Sequence, residues 1–223
     1  MKISNPIKGF KKSYYPKGHK TQGFGENVKL YMAACKMNGH NGEDYVAPYG
    51  TPIYAIQGGI VCEAKTDPSG YGRHIRILSD ENKKGGIEHT YGHLSKLNVS
   101  VGDNVKAGQK IGEMGNSGFV VSSASSNALG FWNNGGNNYN GTHLHLSIRD
   151  FIYDKKGWSY YPNTPKITIL NYNNGWNGCI DFKDRFYEDP MLGDMEILKR
   201  ELETYGEEPW YITFLRGLKF FNS

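Results

Sequence analysis

Three short segments of this chain carry histidines in settings that suit chemistry. His40-Asn41-Gly42-Glu43-Asp44 and His143-Leu144-His145 stand about a hundred residues apart, and Tyr91-Gly92-His93-Leu94 lies between them. Together they hold two imidazoles and a carboxylate for a metal, and two further imidazoles for proton transfer. A metal held by three protein ligands keeps a position open for water and activates it near neutral pH.

Such residues need elements that bring them together. From Ile53 onward the chain reads as strands, at 53–56, 59–64, 74–78, 88–94 and 142–148. Turn signals separate them at Gly58-Gly59, Asp67-Pro68-Ser69-Gly70 and Lys84-Gly85-Gly86. Val99-Ser100-Val101-Gly102-Asp103-Asn104-Val105 followed by Ala107-Gly108-Gln109-Lys110-Ile111-Gly112 reads as a tight strand-turn-strand unit. A short helix is expected over 26–34. The fold class expected is mainly β, an antiparallel sheet with a substrate groove and a small C-terminal helical extension.

On a strand, residues i and i+2 project to one face. His143 and His145 therefore point together, with Leu144 turned away. Two histidines on one face need partners for their ring nitrogens. A metal with proton donors is one solution, and exposure to water is another. Asn38-Gly39, Asn41-Gly42, Pro48 and Pro52 surround His40 and Asp44, so that segment reads as loop or strand. A gap of four puts both groups on one side of an extended chain, and a surface hydrogen bond is the plain alternative.

The wider pattern resembles the lysostaphin/LytM-type zinc endopeptidases, with their duplicated hybrid motif fold. The resemblance runs from His40 to Asp44, through Ala47-Pro48-Tyr49-Gly50-Thr51-Pro52-Ile53-Tyr54-Ala55, Gly59-Ile60-Val61 and Gly70-Tyr71-Gly72. It continues through Tyr91-Gly92-His93-Leu94, Val101-Gly102-Asp103-Asn104-Val105, Gly108-Gln109-Lys110-Ile111-Gly112 and Gly115-Asn116-Ser117-Gly118 to His143-Leu144-His145. It covers about residues 20–150. The resemblance implies that His40, Asp44 and His145 bind one Zn2+ per chain and that His93 and His143 are catalytic. It also implies cleavage of peptide bonds in the cross-links or stems of bacterial peptidoglycan. The chain has no HExxH sequence, so a glutamate base on a zinc helix is not the scheme.

The remaining histidines read differently. His19 lies in a basic stretch and reads as solvated, and alternation leaves the face of His74 undecided. His89 shares a strand face with Tyr91 and His93, which suits a structural role better than a place in the groove. Cys35, Cys62 and Cys179 are odd in number and lack a CxxC pair, so neither a disulfide framework nor a thiolate metal site is expected. Cys62 and Cys35 both read as buried hydrophobes, although a Cys35 thiolate capping a metal in a latent form is conceivable.

Three parts frame the whole: an extended segment over 1–25, a peptidase-like domain over 26–150, and an extension over 151–223 with one or two helices. Residues 118–142 form an insertion rich in Ser, Asn and Gly that carries Phe131, Trp132 and Tyr139. It suits a loop beside a groove, or simply a variable surface loop.

In the 223 residues, hydrophobic content is 38%, charged content 22% and net charge +4, which excludes a disordered tail and a membrane bundle. No run approaches the roughly 18–20 apolar residues that span a bilayer. Lys and Arg form no stripe, so a nucleic-acid partner is not expected. The basic start lacks an apolar core and does not read as a secretory signal. That suggests a bacteriophage protein, virion-borne or released at lysis, with virion proteins among its partners. A non-catalytic wall-binding or structural virion module on the same fold is the competing reading.

Overall fold

The computed structural model describes residues 6–7, 22–68, 70–121, 128–129 and 141–182. The chain divides into two compact units, Met1–Phe186 and Tyr187–Ser223. The second unit lies outside the described residues, as do the expected C-terminal helices, His19, Phe131, Trp132 and Tyr139.

Among the described residues, one short helix, α1 (Val28–Cys35), precedes eleven strands: β1 (Glu43–Tyr45), β2 (Pro52–Tyr54), β3 (Gly59–Thr66), β4 (Arg73–Asn82), β5 (Gly85–Leu97), β6 (Asn104–Val105), β7 (Lys110–Met114), β8 (Val120–Val121), β9 (Ala128–Leu129), β10 (Leu144–Trp158) and β11 (Ile167–Ile169). The main sheet is antiparallel in the order β1-β10-β5-β4-β3-β6. β11 extends it beside β10, and β7 joins β2 to β5. The mainly β expectation therefore holds. The unit expected over 99–112 contains the two-residue β6, a turn at Ala107-Gly108 and the start of β7, so its second strand is present and its first is shorter than alternation implied.

Alternation explains how the sheet sorts its side chains. Leu144, Leu146 and Ile148 of β10 join Ile87 and Tyr91 of β5 and Ile75 and Ile77 of β4 in one core. The intervening His145, Ser147 and Arg149 face the other way, alongside Glu88 and Thr90 of β5. That second face is apolar at one end, where Cys62, Leu78, Phe151, Ile167 and Ile169 cluster. Its middle is charged. Arg149 lies directly opposite Glu88 in the β5–β10 register, and its Nη2 donates to both carboxylate oxygens at 2.6 and 2.8 Å. Arg76 and Tyr160 complete the shell around Glu88.

β10 runs unbroken from Leu144 to Trp158, across the boundary expected after Asp150. The chain beyond it folds back on the same sheet. Ile180 N–H donates to Ile148 O at 3.0 Å, and Cys179 bridges to Arg149.

Candidate active site

Each of the five histidine and aspartate side chains is positioned by a distinct local device. His40 follows a turn at Gly39, whose φ of 125° suits glycine; a Cβ there would lie 2.4 Å from the Gly25 carbonyl oxygen. His40 is fully buried, and its Nδ1 faces Gly23 O at 3.2 Å. A carbonyl only accepts, so Nδ1 carries the proton and Nε2 presents a lone pair inward. Asp44 sits on β1 directly opposite His145 on β10. Antiparallel register thus joins groups a hundred residues apart in sequence.

His40 Nε2 and His145 Nδ1 are 2.8 Å apart, and each lies 3.1 Å from Asp44 Oδ1. Ligand atoms of the three residues all fall within 4.8 Å of one another. Hydrogen bonding alone leaves this cluster ill satisfied, because the His40 Nε2 lone pair faces another acceptor, Asp44 Oδ1, at 3.1 Å, and His145 Nδ1 has at most one proton to share between them. Two imidazole nitrogens and a carboxylate oxygen converging on one point form a donor set that suits zinc. The residues present therefore fit a divalent cation.

His143 and His93 flank the cluster. As alternation predicts, His143 shares a face with His145, and its Nδ1 donates to Gly141 O at 2.7 Å. Its Nε2 lies 3.8 Å from Asp44 Oδ2. The His93 and His143 ring centroids are 4.5 Å apart. His93 reaches this position by an irregularity that no periodicity shows. Its φ is +61°, in the left-handed region that side chains rarely adopt. The pairing of β4 with β5 slips between Tyr91 and Leu94 at this point, as at a β-bulge. Tyr91 and Leu94 both enter the core as a result, and His93 turns out of it. His93 N–H donates to Tyr71 O at 2.7 Å and its Nδ1 to Ser117 O at 2.8 Å, which hold the bulge in place.

The electrostatics follow from burial and crowding. Burial pushes His145 down to about 4, despite its bond to Asp44. Burial and the neighbouring His143 and His145 hold His93 well below its ordinary value. Burial would raise the Asp44 carboxyl, but His143 nearby and the bonds to His145 and His40 outweigh it, and the group stays well below the usual range.

The histidines outside the cluster play other parts. His89 is fully buried between Ser79 Oγ at 2.7 Å and Tyr91 Oη at 2.8 Å. The bulge separates it from His93, although simple alternation put both on one face. His74 bonds Glu63 Oε2 at 3.0 Å on the charged face. Cys62 is buried as expected, but Cys35 is exposed, because α1 has no buried residue.

Several residues at the site had no assigned part in the sequence reading. The Tyr71 ring lies 5.1 Å from that of His145, and Tyr71 Oη accepts from Asn41 Nδ2 at 2.8 Å. Asn41 also approaches Cys179 Sγ at 3.6 Å. Burial raises the Cys179 thiol to about 11, so it packs here as a neutral group. Gly42 presses on the ring of His145: a Cβ added there would lie 2.8 Å from Nε2 and 2.4 Å from Leu146 O. Nothing in a single sequence marks that close approach except the glycine itself.

Four of the five side chains, Asp44, His93, His143 and His145, line a cavity of about 400 Å³ together with residues of α1, and His40 lies buried behind them. An antiparallel sheet thus gathers a metal-ligand donor set and two further histidines beside one open cavity. The family model for peptidase family M23 matches residues 38–159, and the chain belongs to that family. It is 38% identical over 105 residues to the glycyl-glycine endopeptidase ALE-1 of Staphylococcus capitis, covering 47% of this chain and 26% of the relative. It is 42% identical over 80 residues to lysostaphin of Staphylococcus simulans, covering 36% of this chain and 16% of that protein. The chain thus spans about a quarter or less of these relatives. The solved catalytic domain of lysostaphin from Staphylococcus simulans aligns at 30% identity and a TM-score of 0.39, over 58% of this chain and 75% of that one.

Proposed function

We propose that this protein is a zinc-dependent endopeptidase that hydrolyses peptide bonds in the stems or cross-links of bacterial peptidoglycan. The observation that carries this reading is the convergence of His40, Asp44 and His145 on one point beside His93 and His143. Family membership supports the peptidase chemistry, and the names of the relatives support the wall peptide as substrate. In this reading His40 Nε2, an Asp44 oxygen and His145 Nδ1 hold the metal. Bound there, zinc supplies a water whose pKa falls to about 7 and polarises the scissile carbonyl.

The protein's own groups handle the protons. Nδ1 of both His93 and His143 donates to a backbone carbonyl, so each neutral ring turns the lone pair of Nε2 elsewhere. One of the two accepts the proton of the attacking water and returns it to the leaving amine. The other, when protonated, donates to the oxygen on which negative charge grows. The left-handed backbone at His93 is the kind of local strain that persists where it places a functional group.

Metal content combined with digestion of defined muropeptides tests the proposal. Close to one zinc per chain and chelator-sensitive release of peptide fragments are expected. Stoichiometric zinc with no cleavage of any wall peptide would leave a binding module instead.

A further inference from the structure

His40 is held by two segments that lie outside the matched family region, residues 38–159. One precedes that region at residues 23–26, and the other follows it at residues 171–179. In the first, Gly23 O accepts from His40 Nδ1 at 3.2 Å, Gly25 N–H donates to His40 O at 2.8 Å, and His40 N–H donates to Glu26 O at 2.8 Å. These bonds fix both the backbone of His40 and the tautomer of its ring.

The second segment is the loop after β11, and its own polar groups give it shape. Asn174 Oδ1 accepts from Trp176 N–H at 2.8 Å and from Gly178 N–H at 3.1 Å, while Asn174 Nδ2 donates to Cys179 O at 2.8 Å. Asn171 and Asn177 take left-handed backbone, with φ of 51° and 55°, which asparagine tolerates better than most residues.

This loop touches the metal-binding segment on both flanks of His40. Gly175 O accepts from Asn38 N–H at 2.9 Å, and a Cβ on Gly175 would lie 2.2 Å from Asn38 Nδ2. Asn41 Nδ2 reaches Cys179 Sγ at 3.6 Å. The Trp176 ring lies 5.2 Å from that of Phe24, which stands between Gly23 and Gly25. An aromatic pair of this kind buries a large apolar area, so it restrains the 23–26 segment more firmly than one hydrogen bond would.

Resting on the zinc site proposed above, we propose that the loop over 171–179 is a clasp that positions the metal ligand His40. Trp176 is its main positioning residue. It backs Phe24, Phe24 holds the Gly23 carbonyl in place, and that carbonyl keeps the proton on His40 Nδ1 and the Nε2 lone pair towards the metal. Asn174 acts one step further back, by shaping the loop.

The test measures zinc affinity of the full chain by competition with a chromogenic chelator. Beside it, imidazole nitrogen chemical shifts report the His40 tautomer in the zinc-free chain. Trp176→Ala and Phe24→Ala should each weaken zinc binding by about 10–100-fold, the range seen when groups supporting a ligand are altered. The double variant should be about as weak as the worse single one, because both changes remove one contact. Trp176→Phe keeps a ring against Phe24 and should recover most of the affinity. The clean Nδ1–H form of His40 should be lost in Trp176→Ala and kept in Trp176→Phe, and Phe24→Ala serves if Trp176→Ala does not fold. Val105→Ala, on β6 at the opposite edge of the main sheet from β1, should lower stability and leave both readouts unchanged. Unaltered zinc affinity and tautomer in Trp176→Ala would overturn the clasp. So would an equal loss in Val105→Ala, which would mark a general effect of destabilisation. If the unaltered chain takes up no zinc, the metal reading falls, whereas a tautomer lost in Trp176→Ala still supports the clasp and one retained overturns it.

Discussion

At the scale of single residues, the account separates groups that hold the metal from groups that move protons. His40→Ala and Asp44→Ala should each lose both zinc and activity. His93→Ala and His143→Ala should retain zinc while turnover falls by about 10²–10⁴-fold, the usual range for a general acid or base. Metal analysis beside steady-state kinetics reads both, and near-normal turnover in His93→Ala would remove that residue from the mechanism. Gly42→Ala supplies a subtler test. The new Cβ would lie within 3 Å of the His145 ring and of Leu146 O, so the ring must shift. Zinc affinity should fall by about 10–100-fold, the range seen when groups supporting a ligand are altered, and a zinc titration measures it. The pairing of His143 with His145 was legible in the sequence, because strand alternation alone puts both on one face. The position of His93 was not. Its place depends on a left-handed residue inside a strand, and a histidine at that point gives no glycine-like signal of one.

At the scale of elements, the site depends on β5 and β10 and on what lies under them. Arg149 and Glu88 form a buried pair close to His145 on the same face. Arg149→Met should destabilise the fold by about 3–5 kcal/mol, since it leaves a buried carboxylate short of its main partner. Urea denaturation would measure the loss, and a cost below about 1 kcal/mol would show that Arg76 and Tyr160 suffice for Glu88. The same strands carry the sheet past Asp150, a continuity that the sequence does not display. The composition of residues 151–182 is aromatic and Asn-rich with no clear period, so it looks like a separate extension. Its strand content is hidden because β10 continues through exposed and buried positions without strict alternation. Cys179 and Ile180 then return to Arg149 and Ile148, a long-range pairing that no local pattern encodes.

At the scale of the whole molecule, burial of titratable groups sets the response to pH. Burial lowers His89 to about 3 in the folded chain, against about 6.5 unfolded. The unfolded chain therefore binds the extra proton first, so stability is full above about 6.5 and declines as pH falls towards 3. The slope from this one group is about 1.4 kcal/mol per pH unit. Glu63 adds a second stage. Burial would raise its carboxyl, but the bonds from His74 and Lys65 and the charge of Arg76 hold it at about 2. Its contribution is present above about 4.3 and is lost as pH falls towards 2. Denaturation midpoints from pH 7.5 to 3 should show the decline starting near 6.5, and His89→Gln should flatten the upper part. An unchanged slope in that variant would contradict the assignment to His89. The β class of the molecule could be read ahead of the structure, because turn signals and β-branched runs repeat along the chain. The closing of β1 against β10, which brings Asp44 to His145, rests on register between distant strands and shows only in the fold.

The central claim is that one divalent cation binds between His40, Asp44 and His145 with a position left open. Anomalous diffraction at the zinc edge from crystals of the zinc-loaded full chain tests it most directly. The account predicts a single strong peak about 2.0–2.2 Å from His40 Nε2, an Asp44 oxygen and His145 Nδ1, with no fourth protein ligand. A peak elsewhere, or one closed off by a fourth side chain, would contradict it.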